Sequence, residues 1–122
     1  LISKEPLGPS VRRGDDDFFA ISKWVLNALL EAEEFGITQA NIDQMKKDSK
    51  NPSVMRLLGA GTEDTGKVLG LDKDWAYRAI KTTGNYGEIF ERHVGEKTPI
   101  GLPRGSNNQW TKEGLHYAPP VR

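Results

Sequence analysis

Few residues in this chain of 122 amino acids are of types and spacings that could do chemistry. The most suggestive run is Gly61-Thr62-Glu63-Asp64-Thr65-Gly66-Lys67-Val68, whose glycines and lysine are spaced as in a phosphate-binding loop. That loop needs a hydroxyl after the lysine to hold magnesium, and Val68 stands there. Glu63 and Asp64 would repel phosphate, and the run follows a helical pattern where a strand is required. It reads as a glycine-rich connector between helices. Asp15, Asp16 and Asp17 lack the alternating ligands and distant glutamate of a calcium loop, and they suit a helix N-terminus, where the dipole favours negative charge. Glu31, Glu33 and Glu34 lie on one helix and do not face each other across a cleft, as paired catalytic carboxylates must. His93 and His116 are lone residues without an acid or nucleophile partner, so neither a metal site nor a general base is indicated. There is no cysteine, which excludes disulfides, thiolate metal sites and a thiol nucleophile. The residues thus assign no catalytic group, no metal site and no cofactor, and the chain reads as a non-enzyme.

Charge and composition narrow the field further. Lys and Arg number 17 against 17 Asp and Glu, so the net charge is zero and the basic field of a nucleic-acid binder is missing. Hydrophobic residues make up 36%, with 13 Gly and 7 Pro, which predicts a modest core and many turns. The longest apolar runs are the triplets Trp24-Val25-Leu26 and Ala28-Leu29-Leu30, far below the roughly 20 residues that cross a bilayer. The opening Leu1-Ile2-Ser3-Lys4-Glu5-Pro6 has neither an initiator methionine nor a signal-peptide pattern and reads as an interior start.

The elements follow from periodicity and caps. Two prolines in Glu5-Pro6-Leu7-Gly8-Pro9-Ser10-Val11 forbid helix and allow at most a short or edge strand. After a turn at Arg12-Arg13-Gly14, a helix is expected from Asp15 to about Glu34, with Phe18, Ile21, Val25, Ala28, Leu29 and Ala32 as its buried stripe and Phe35-Gly36 as its stop. Thr38 is expected to begin a second helix, Asn51-Pro52 a third, and Asp72 to cap one carrying Trp75, Ala76, Ala79 and Ile80. A weak helical turn is expected within Glu63 to Leu69. Asn85 starts a last helix that Gly95 stops. Beyond Glu96 an extended tail is expected, pinned by Ile100, Leu102, Trp110, Leu115 and Tyr117, with Trp110 and Tyr117 as aromatic pins against a neighbouring domain. No strand run is visible for the long helix to pack on, so its stripe calls for other helices or for a sheet outside this chain.

Longer stretches carry a resemblance. The run Ile2-Ser3-Lys4-Glu5-Pro6-Leu7-Gly8-Pro9-Ser10-Val11-Arg12-Arg13-Gly14-Asp15-Asp16 resembles the stretch of periplasmic solute-binding proteins of amino-acid ABC transporters where the chain returns through the second hinge strand. Leu69-Gly70-Leu71-Asp72, Trp75-Ala76-Tyr77, Gly84 to Arg92, Arg104-Gly105, Trp110 and Tyr117-Ala118-Pro119-Pro120 are similar to the tail of the general L-amino-acid-binding branch.

That resemblance implies a fold class: mainly α with one short extended segment, the C-terminal portion of a two-lobed α/β periplasmic-binding-protein fold of type II. Residues 1–14 would be the hinge or return strand, 15–36 the long helix on the first lobe's sheet, 37–83 a helical insertion, 84–95 the final helix and 96–122 the tail. The implied function is substrate capture for an amino-acid importer in the periplasm. Its partners would be a free L-amino acid, the permease subunits and the N-terminal remainder of the same chain. Glu5, Pro6, Leu7 and Gly8 are the hinge candidates, with Pro6 restricting the backbone and Gly8 freeing it. The residues that grip the ligand's carboxylate and ammonium would lie upstream, so this chain alone is expected to bind no ligand. The rival reading is a stand-alone helical interaction module. In either case an exposed apolar stripe favours self-association.

Overall fold

The computed structural model of the protein describes residues 7–122. Among the described residues there are five helices: α1 (Asp16–Glu34), α2 (Ile42–Asp48), α3 (Pro52–Leu57), α4 (Trp75–Thr83) and α5 (Tyr86–His93). Single 3-10 turns occur at Lys67–Leu69, Gly105–Asn107 and Trp110–Lys112. Among the described residues no strand forms; two isolated bridges join Gly95 to Leu102 and Gln109 to His116.

Short polar side chains start three of the helices. The Phe18 N–H donates to Asp15 Oδ1 (3.0 Å), and Asp16 and Asp17 put negative charge in the first turn of α1. Asn51 accepts from the Ser53 N–H (2.9 Å), with Pro52 at the position where a missing N–H costs nothing. Asn85 and Glu88 form a reciprocal capping box at α5, with N–H to side-chain distances of 2.9 and 2.8 Å. The Asn85 amide also donates to Ile37 O (2.8 Å), tying the start of α5 to the end of α1. Gly36 takes φ +66°, which ends α1 in the left-handed conformation that glycine tolerates.

Three local expectations are corrected. Thr38 does not begin α2; it pairs reciprocally with Asn41 (2.7 and 3.2 Å) in a turn that delays the helix to Ile42. Asp72 does not cap α4: its side chain pairs with Arg78 (2.9 Å), and the residue flanking the helix is Asp74. Between Glu63 and Leu69 only one 3-10 turn forms, because Asp64 Oδ1 takes the N–H groups of both Gly66 and Lys67 (3.1 Å each). Those are amides that a phosphate-binding loop would turn toward its ligand.

The core lies where α1 meets α4 and α5, with α2 and α3 closing one side. Ala28 and Ala32 are fully buried, and their small side chains let the helices approach. Ile37, Ile42, Leu57, Leu58 and Ile80 fill the space between, each contributing roughly 1.5–3 kcal/mol from burial. Trp75 joins them with its indole N–H donated to Thr65 Oγ1 (3.1 Å), so its polar atom is not stranded.

Within this chain the large apolar residues of the tail do not pin it to the core. Ile100, Leu102, Trp110, Leu115 and Tyr117 are all exposed, and the residues that enter the core are Ala118 and Val121. Residues 105–116 close on themselves instead, through Leu115 N–H to Ser106 O (2.9 Å), His116 N–H to Asn108 O (3.1 Å) and Trp110 N–H to His116 O (2.9 Å). With its backbone groups satisfied inside the loop, the segment needs no apolar pins.

Candidate functional site: the open face of α1 and the segment before it

Of the four hinge candidates, Glu5 and Pro6 lie outside the described residues. Leu7 is 98% exposed, and nothing lies within 4 Å of where a side chain on Gly8 would begin. Among the described residues no ladder partner pairs with Leu7–Val11; the first backbone bond along this stretch is Asp15 N–H to Arg12 O (3.4 Å). It closes the turn in which Gly14 takes φ +87°.

Between this segment and the first turns of α1 runs an open, largely apolar cleft of about 570 Å³, lined among others by Val11, Phe19, Ser22, Lys23 and Leu26. Arg12, Arg13 and Asp15 to Asp17 form its polar end. No ion pair or metal-ligating cluster stands among the described residues here. The cleft suits apolar side chains from a neighbouring layer better than a small charged solute.

Helical geometry explains why that surface exists. At about 100° per residue, Phe19 sits roughly 180° around the helix from Ala28, while Leu26 and Leu30 share its azimuth within about 20°. α1 therefore carries two apolar faces. One holds Ala28, Ala32, Val25 and Leu29 against the core. The other carries Phe19, Leu26 and Leu30, with Phe19 54% exposed; Phe18, beyond the N-terminal end of the core, is 53% exposed. The second face was missed in the sequence because a single stripe already accounted for a helix. Its signal was present in the spacing of residues 19, 26 and 30, and a helix apolar on both sides belongs between two layers.

The other end of α1 is fixed by its acids. Arg104 makes two hydrogen bonds to Glu33 (2.8 and 3.0 Å), with side-chain exposures of 15% and 10%. Its guanidinium lies over the rings of Tyr86 and Phe90 and also holds Asn107 O (2.9 Å). Gly87 makes room for the pair, since a Cβ there would stand 2.7 Å from the guanidinium and 2.8 Å from Glu33 Oε1. Two residues earlier, buried Glu31 accepts the Val121 N–H (3.0 Å) and draws the chain end onto the helix.

Burial pushes the Glu31 carboxyl above the usual carboxylate range; the Val121 N–H opposes this and nearby Glu34 adds to it. A raised carboxyl supports the fold only while it is protonated. Its contribution is full below the unfolded value of 4.5 and is lost as pH rises through the higher folded value. Glu31→Gln, which cannot ionise, is therefore expected to gain stability relative to the parent between about pH 4 and pH 7. Thermal melts of both proteins at the two pH values check this, and parallel pH dependences would contradict it.

On the opposite surface Tyr77 donates to Asp43 (2.6 Å) and Lys81 reaches the same carboxylate (2.9 Å), which holds the Asp43 carboxyl below its usual range. This exposed cluster ties α2 to α4 and leaves no unsatisfied charge to recruit a ligand.

No family model matches the chain. Over its whole length it is 57% identical to the general L-amino acid-binding periplasmic protein AapJ of Rhizobium johnstonii and 54% identical to the glutamate/glutamine/aspartate/asparagine-binding protein BztA of Rhodobacter capsulatus. It covers 36% of each of those proteins. The chain matches the C-terminal portion of amino-acid-binding periplasmic proteins of ABC transporters. A solved ABC transporter periplasmic binding protein from Brucella ovis, with glutathione bound, superimposes on all of the chain with a TM-score of 0.94 at 55% identity, over 38% of its own length. The mainly helical architecture is thus a fragment of the two-lobed binding-protein fold.

Proposed function

We propose that the protein containing this chain is the periplasmic solute-capturing component of an amino-acid ABC importer and not an enzyme. The observation that carries the reading is the 54–57% identity, along the entire chain, to proteins named for amino-acid binding. In this reading α1 is sandwiched, its Ala28 face on α4 and α5 and its Phe19 face on the sheet of the first lobe. The unpaired Leu7–Val11 segment adds a strand to that sheet. Leu7 and Gly8 lie in one of the crossings about which the lobes close. The alternative of a stand-alone interaction module is not favoured, since the relatives are transport proteins.

Ligand chemistry is supported by the relatives as a group. The γ-glutamyl arm of glutathione presents the same free α-ammonium and α-carboxylate as an amino acid, so one pair of recognition groups serves both. Those groups belong to the remainder of the protein, and permease subunits complete the importer. Calorimetric titration with a panel of L-amino acids and glutathione tests the assignment. The intact protein is expected to bind at least one member of the panel, and the 122-residue chain none. An intact protein that binds none of them overturns the reading.

A further inference from the structure

We propose that residues 105–116 form a pH-sensitive clasp, in which protonation of the His116 ring loosens the loop from α5 and the Arg104–Glu33 pair. The ring of His116 meets Tyr86 of α5 edge-on, with centroids 4.5 Å apart and planes at 74°. Its Nδ1 is shut off from solvent and has no hydrogen-bond partner among the described residues. Such a nitrogen is tolerable as a bare lone pair, with the ring proton on Nε2. The imidazolium must carry a hydrogen on both nitrogens, so protonation creates a buried donor at Nδ1 with no acceptor.

The groups around the ring strengthen the effect. Tyr86 of α5 meets the ring directly, Arg104 before the loop lies over the Tyr86 ring, and Glu33 of α1 holds Arg104. Glu33 is already engaged by two hydrogen bonds from Arg104, so an imidazolium would place a second cation beside one occupied carboxylate. Burial, followed by the charge of Arg104, pushes the imidazole below its ordinary value of 6.5, with Glu33 opposing. Gln109 Oε1 is a nearby buried acceptor without a partner, but it makes no bond to His116 in this arrangement.

The loop would transmit the change because His116 is part of its closure. Its N–H donates to Asn108 O and its carbonyl accepts from the Trp110 N–H. Trp110 in turn stacks edge-on with Tyr117, centroids 5.8 Å apart, on the exposed side. Because the native state prefers the neutral ring, the stabilisation it gives is present above pH 6.5 and falls away as pH drops through the window below that value.

The test uses the intact protein labelled for ring-carbon NMR of histidine and with 5-fluorotryptophan. His116→Gln assigns the histidine signal and Trp110→Phe the fluorine signal. His116 is expected to titrate below 6.5, and the Trp110 resonance to shift with the same midpoint. His116→Phe, which keeps the edge contact with Tyr86, is expected to abolish that shift and leave the other tryptophans unmoved. Should the Phe variant fail to fold, the two matched midpoints in the parent decide alone. A His116 midpoint at or above 6.5, as would follow if Gln109 Oε1 turned to take the proton, overturns the clasp. So does a Trp110 signal that stays flat while His116 titrates.

Discussion

Arg104→Ala is expected to lower the unfolding free energy by about 3–5 kcal/mol, the range for removing one partner of a buried, hydrogen-bonded ion pair. The Glu33 carboxyl group would lose both of its bonds from Arg104 in a site 10% exposed. Asn107 O would lose the guanidinium as well, and the rings of Tyr86 and Phe90 would face a void. Most of that loss comes from the stranded carboxylate and not from the net worth of the pair. The double variant Arg104→Met with Glu33→Leu is therefore expected to recover about 2 kcal/mol or more of it. Urea titrations of the parent, the single and the double variant separate the two contributions. Equal losses in single and double variants would mean that the stranded carboxylate is not what Arg104→Ala costs.

How much of this was legible in the sequence depends on the reach of the interaction. Asp15, Asn51 and Asn85 announce helix starts because a cap acts over two or three residues, and the local pattern contains both partners. Asp72 misleads for a related reason: two acids flank the start of α4, and Arg78 engages both side chains. The Glu33–Arg104 pair spans 71 positions and the Glu31–Val121 bond spans 90, and no local pattern encodes either. The tail misleads further. Its large apolar residues suggest anchors, yet the anchors are Ala118 and Val121 while Trp110 and Leu115 stay outside. Which residue enters the core is decided by where the loop's own backbone bonds leave the chain.

Along α1 the problem is different, since the periodicity was present and described only half the helix. Phe19→Ala offers the sharpest test of what the second face does. In the intact binding protein proposed above, the Phe19 ring would be buried beneath the first lobe, and its truncation is expected to cost about 3–5 kcal/mol. In the 122-residue chain the same ring is 54% exposed, and the cost is expected to stay within about 1 kcal/mol. Ile80→Ala supplies the control: Ile80 is fully buried by this chain alone, so its loss of about 2–5 kcal/mol should appear in both contexts. Denaturant midpoints of the four proteins give the comparison, and if the chain alone does not fold cooperatively, the two variants of the intact protein still decide. A small cost for Phe19→Ala beside a large one for Ile80→Ala would mean that the rest of the protein leaves this face open. α1 would then hold its second apolar stripe for another molecule, and the interaction-module reading would replace the sandwich.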